Sequence, residues 1–196
     1  MKKGWIVLIV VVVIGIIIYS SLKSTYNSMV TTSEAVDGQW AQVENVYKRR
    51  ADLIPNLVEV VKGYAAHEKE TLEGVVNARA KATSVNIDAN NLNPESFAKF
   101  QQAQEGLTGA LSLLMVVVEK YPDLKANENF LKLQNQLEGT ENRITVERQK
   151  FNDNTKEYNT LIKRFPNNML AGMFGFSPKP YFTAQAGDEN APKVSF

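Results

Sequence analysis

The chain contains no cysteine and a single histidine, His67. The first absence removes disulfides, thiolate metal sites, cysteine nucleophiles and a lipidated cysteine, and it fits either side of a membrane. Charge of one sign is also missing, since 22 basic residues face 21 acidic ones. A nucleic-acid binder carries a basic excess or stripe, so no nucleic-acid partner is expected. There is no glycine-rich phosphate loop: "AGMFGF" (171–176) lacks the Lys-Ser/Thr ending and a preceding strand. No stretch alternates apolar and polar residues as a half-buried strand does.

What the chain does have is a long apolar run at its start. "MKKGWIVLIVVVVIGIIIYSSLK" carries two lysines and then no charge until Lys23, leaving 19 uncharged residues from Gly4 to Leu22. At ~1.5 Å per residue this helix matches the ~30 Å hydrocarbon core of a bilayer. Valine and isoleucine form helices poorly in water, but lipid forces every backbone N–H to be satisfied internally. Trp5 and Tyr19 sit near the two ends, where aromatic rings favour the interface. A cleaved signal peptide would need small residues at alternate positions. In "IIIYSSLKS", Tyr19 occupies one such place, and Leu22 and Lys23 spoil the next registers. Residues 1–24 are therefore expected to be an uncut, single-pass anchor. Lys2 and Lys3 outnumber Lys23, which predicts a cytoplasmic N-terminus and an extracytoplasmic (periplasmic) body.

From 25 to 168 the apolar residues recur at helical spacing, as in Val36, Trp40, Val43 and Tyr47, or Leu107, Leu111, Leu114 and Val118. Asp52 reads as an N-cap with Pro55 in the first turn of a new helix. "NIDANNLNPES" (86–96) reads as a polar loop capped by Asn93, and "KYPDLKANENF" (120–130) as a second boundary capped by Asp123 or Asn127. Pro166 closes the last helix. The expected fold is all-α: a transmembrane helix followed by an antiparallel four-helix bundle over 25–168. The alternative is three long helices, the first kinked at Pro55. Residues 169–182 form a short apolar segment, expected to pack on the bundle end or lie in the membrane interface. Residues 183–196, polar and small, are expected to be a disordered tail.

The stretch "HEKET" (67–71) resembles the opening of a zinc-protease motif, which needs H-E-x-x-H. Position 71 is Thr71, and no second histidine exists for this site or for a di-iron site built from two E-x-x-H motifs. His67 reads as a helix-surface imidazole able to pair with an acid. Glutamates such as Glu59, Glu73, Glu105, Glu138 and Glu141 leave a carboxylate mechanism open, but such spacing usually marks a solvated face. No catalytic, cofactor-binding or metal-binding residue is expected, and no small-molecule substrate is indicated.

Four stretches carry a family resemblance: "YNSMV" (26–30), "RRADLIPNLVEVVKGYAAHE" (49–68), "EKYPDLKANENFLKLQNQLEGTENRI" (119–144) and "YNTLIKRFPNNMLAGMFGF" (158–176). By these the chain resembles the LemA family of single-pass bacterial membrane proteins. Phe151-Asn152 stands where the family usually has Tyr-Asn, and Gly38-Gln39 departs from its usual residues before Trp40. The resemblance implies a membrane helix and an antiparallel four-helix bundle in the bacterial cytoplasmic (inner) membrane. It implies no established activity, cofactor or catalytic residue; roles in membrane organisation and envelope signalling have been proposed for the family.

With Pro55 as a turn, the motif-dense stretches meet at the membrane-distal tip. Arg49, Arg50, Asp52, Asn56, Tyr121, Asp123, Asn127 and Asn129 are then candidates to bind a partner, either another copy or an envelope protein. The last helix returns to the bilayer, making Met173, Phe174, Phe176, Tyr181 and Phe182 candidates for a second contact with lipid. The expected function is a membrane-anchored, non-enzymatic scaffold or adaptor. The alternative is an enzyme with a carboxylate-based site or one formed only on assembly.

Overall fold

The computed structural model describes residues 2–85, 87 and 92–183, so the expected tail from 184 onward lies outside the described residues. Among the described residues all regular structure is helical. Six helices follow one another: α1 (Lys2–Tyr64), α2 (Lys69–Ser84), α3 (Pro94–Val118), α4 (Pro122–Lys125), α5 (Glu128–Lys163) and α6 (Asn167–Phe174).

The expected turn at Asp52–Pro55 does not exist. α1 is a single helix of 63 residues that carries the apolar run at its start and passes through Pro55. A proline in a helix interior removes one N–H, here the donor to the carbonyl of Ala51. That carbonyl belongs to a buried residue and accepts instead from Arg79 Nε at 2.7 Å. A side chain on the next helix thus replaces the missing backbone bond. Asp52, expected as a cap, lies exposed in mid-helix. The chain reverses later, at Ala65–Glu68, and His67 sits exposed in that turn rather than on a helix.

Elsewhere the caps fall where polar residues offer them. Asn93 accepts from Ser96 N at 2.8 Å with Pro94 in the first turn, and Asn127 accepts from Asn129 N and Phe130 N at 3.0 Å. α6 stops at Gly175, whose φ of 77° suits a residue without Cβ.

α5 runs antiparallel to α1 along its whole length, as the bonded pairs Tyr64–Asn127, Arg50–Glu141, Gln39–Glu147 and Ala35–Asn154 record. α2 and α3 form an antiparallel pair against the distal half of α1, joined through Ala51–Arg79 and Ala82–Gln104. Two apolar clusters result. The distal one gathers Ile54, Leu57 and Val61 of α1 with Val75, Leu107, Leu114 and Phe130. The proximal one centres on Trp40, with Phe97, Phe100, Phe151 and Phe182 around it at ring separations of 5.2–6.1 Å. Burying aromatics of this size dominates core energetics.

Candidate functional site

Between the two clusters lies the most buried charged side chain among the described residues. Arg50 is only 2% exposed, and its guanidinium reaches two other helices, α3 and α5. Nη2 donates to Gln104 Oε1 at 2.7 Å and to Gln104 O at 3.2 Å. Nη1 donates to Thr108 Oγ1 and Glu141 Oε2, both at 3.0 Å. Gln104 Nε2 in turn donates to the Ala82 carbonyl near the end of α2. One cation therefore ties α1, α2, α3 and α5 together, with the Tyr47 ring 5.2 Å from its centre. Charge-assisted bonds of this kind offset the desolvation of the ion.

Chemically the cluster is closed. Its one carboxylate, Glu141, is bound to the guanidinium and half exposed. The adjoining cleft is about 110 Å³, small for an organic substrate. Among the described residues no group of three histidines or carboxylates is placed to hold a metal.

The expected tip residues separate. Arg50 is internal because it occupies the buried register Trp40, Val43, Tyr47, Arg50, Ile54, Leu57, Val61, steps of three and four that the sequence displays. Gln104, Thr108 and Glu141 carried no such signal and were not foreseen as its partners. Arg49, Asp52 and Asn56 lie on the exposed side of α1, well short of its end. The distal end is built instead from the Ala65–Glu68 turn and residues 119–128. There Tyr121 Oη donates to Glu68 at 3.3 Å and Asn127 Nδ2 to Tyr64 Oη at 2.9 Å, while Asp123 and Asn129 are exposed.

At the opposite end, the membrane-facing candidates also divide. Met173 is 78% exposed, Phe174 is exposed, and Tyr26 packs edge-on against Phe174 and Phe176, the latter half-buried. Tyr26 lies only four residues beyond the apolar run, so this group stays at the bilayer end. Phe182 and Tyr181 do not. After Gly175 the chain climbs back along α5 as a strap, held by Tyr158 Oη to the Ser177 carbonyl and by paired bonds between Asn159 and Lys179 and between Asn152 and Phe182. Lys179 Nζ bonds Asp37 at 2.6 Å, and Phe182 enters the aromatic cluster beneath the Arg148 guanidinium. The two-way amide bonds fix the strap's backbone, and the Trp40 neighbourhood buries the ring.

Six carboxyl and phenol groups among the described residues depart from ordinary titration: Glu44, Tyr47, Glu95, Tyr121, Glu147 and Tyr158. Burial raises Glu44, against the opposing pull of the Trp40 indole N–H, which lies close without forming a full hydrogen bond. Hydrogen bonds from Lys150 and Gln39 hold Glu147 low. Burial raises the Tyr158 phenol, and Asp37 adds to the effect.

The LemA family model matches residues 39–196, most of the chain. The chain belongs to the LemA family. Within this family picture, "Magnetosome protein MamQ 2" of Paramagnetospirillum magneticum is 28% identical, over 92% of this chain and 74% of that protein. "Magnetosome protein MamQ" of Magnetospirillum gryphiswaldense is 27% identical, over 86% and 69%. "Protein LemA" of Metamycoplasma hominis is 24% identical, over 87% and 74%. Among the described residues of this LemA-family chain, the one helix long and apolar enough to cross a membrane is α1, whose side chains from Trp5 to Leu22 are uncovered by the rest of the protein.

Proposed function

We propose that this protein is a membrane-anchored, non-enzymatic scaffold of the bacterial cell envelope that acts by binding a protein on its membrane-distal half. Residues 4–22 of α1 serve as a single-pass anchor in the cytoplasmic membrane, and the charge balance around them favours a periplasmic body. The reading rests above all on the outward face of α2 and α3. Leu113 is 65% exposed, Val116 and Val76 are exposed too, and Leu113 borders a groove of about 840 Å³ floored by Gly74, Ala78, Gly106, Gly109 and Ala110. Small residues let another backbone approach closely, and exposed large apolar side chains mark contact surfaces. The occupant is a second copy or an envelope protein.

The absence of cysteine makes the test direct, because Leu113→Cys creates a unique thiol. A crosslinker with a maleimide at one end and a photoreactive diazirine at the other, applied to cells and irradiated, should join this variant to a discrete partner, and Glu138→Cys, on α5, should give none. A membrane-impermeant maleimide should label the Leu113→Cys variant in intact spheroplasts. Equal crosslinking from both positions would defeat the partner reading, and label excluded until lysis would reverse the orientation. An enzymatic reading calls for acids converging on an internal pocket. The buried Arg50 cluster gives it no support, since Arg50 engages the cluster's one carboxylate, and no relative named above carries an activity in its name.

A further inference from the structure

Below the α2–α3 pair, α1 and α5 continue toward the membrane as a two-helix stem. α6 and the strap cover one side of it, reaching α1 through Tyr26, Ser33 and Asp37. By helical periodicity Ser24, Asn27, Ser28 and Thr31 face the other way, as do Asp153, Glu157 and Thr160 of α5, and Arg164 joins them just past its end. These residues line an open groove of about 770 Å³. Its lower end, Ser24, lies two residues beyond Leu22, so the groove starts within ~3 Å of the apolar run and inside the headgroup layer.

We infer that this groove holds the headgroup of a phosphoethanolamine lipid from the surrounding leaflet. The inference rests on the membrane anchor argued above. Among the residues that line the groove the charges alternate away from the bilayer: Arg164 positive, Glu157 negative, then Lys156 and Asp153. None of these four side chains forms a hydrogen bond or ion pair with a described residue. A glycerophospholipid presents its phosphate first and, in the ethanolamine lipids, an ammonium beyond it. Arg164 stands at the level of the phosphate, and Glu157 stands two helical turns further out, on the ammonium side. The groove's two bases and two acids cancel, which suits a zwitterion better than an anionic headgroup.

The hydroxyls sharpen the choice. Ser28 Oγ donates to the Ser24 carbonyl, Thr31 Oγ1 to the Asn27 carbonyl and Thr32 Oγ1 to the Ser28 carbonyl, each at 2.9 Å. With their hydrogens committed to the helix, these oxygens offer only lone pairs to the groove. Ethanolamine has N–H groups to donate to them and to Glu157. A choline headgroup has none, and a glycerol headgroup brings no cation.

The test uses the full-length protein in phosphatidylcholine nanodiscs carrying equal minor fractions of phosphatidylethanolamine and phosphatidylglycerol. Native mass spectrometry of the released protein reads which lipid stays bound. Phosphatidylethanolamine should be enriched about tenfold over the others, the effect of one charge-assisted hydrogen-bond set. Glu157→Gln should abolish the enrichment with no change in melting temperature, and Arg164→Glu should reduce retention of every phospholipid. Equal retention of the three lipids, preference for phosphatidylglycerol, or an unchanged Glu157→Gln variant would each overturn the headgroup site while leaving the anchor intact. Protein that fails to enter the discs would overturn the anchor itself.

Discussion

Replacing Arg79 with methionine removes the donor that stands in for the proline's missing N–H and keeps most of the aliphatic stem. The bond is short, 2.7 Å, its donor is charged, and its acceptor is the carbonyl of buried Ala51. Hydrogen bonds to charged groups contribute about 1.5–3 kcal/mol, so Arg79→Met should cost about 2 kcal/mol. Pro55→Ala restores the local donor. An interior proline costs about 3 kcal/mol relative to alanine; with about 2 kcal/mol already recovered through Arg79, the single variant should gain only about 1 kcal/mol. In the Pro55→Ala background Arg79 becomes redundant, and Arg79→Met should then cost about 0.5 kcal/mol or less, a coupling of about 1.5 kcal/mol. Urea denaturation of the full-length protein in mild detergent, followed by the fluorescence of buried Trp40, measures all four variants. Equal costs for Arg79→Met in both backgrounds would refute the replacement of one bond by the other.

Arg50→Met should destabilise the protein by about 2–3 kcal/mol because it leaves the buried Gln104 amide oxygen without its donor, whereas Glu141→Gln, at a half-exposed site, should cost about 1 kcal/mol or less in the same assay. Phe182→Ala should cost about 3–5 kcal/mol and render the strap sensitive to protease in limited digestion. Glu147, whose carboxyl is held low in the folded state, contributes stability that is fully present above the ordinary glutamate value of about 4.3 and is lost as pH falls through its depressed value. Melting temperatures of wild type and Glu147→Gln should therefore converge on acidification and separate as pH rises.

The parts legible in the sequence are those written in local chemistry. The apolar run from Gly4 to Leu22, the all-helical periodicity and the caps at Asn93 and Asn127 each depend on residues within a few positions of one another. Pro55 misled because its effect is cancelled by Arg79, 24 positions away and on another helix. The unbroken register from Trp40 to Val61 was the better witness to a continuous α1. It also places Arg50 inside, where charge alone suggests the surface. The reversal at Ala65–Glu68 has no proline to announce it, and α2 begins without a side-chain cap. Phe182 sits in a polar-flanked segment whose seat becomes visible only when Trp40, Phe97 and Phe151 are assembled around it.

That seat also fixes the order in which the chain can become a protein. Trp40 leaves the ribosome early, yet the ring that completes its surroundings is synthesised 142 residues later, and α5, its other long-range support, not much sooner. The distal half of α1 finds α2 and α3 soon after they are made. The Trp40 part of its apolar stripe must wait, tethered at the membrane and uncovered, until α5 and Phe182 have emerged. Contacts of such high sequence separation slow folding and prolong exposure of sticky surface. A protein built this way places its period of greatest vulnerability during biosynthesis, when the anchor is already committed and the core has yet to close.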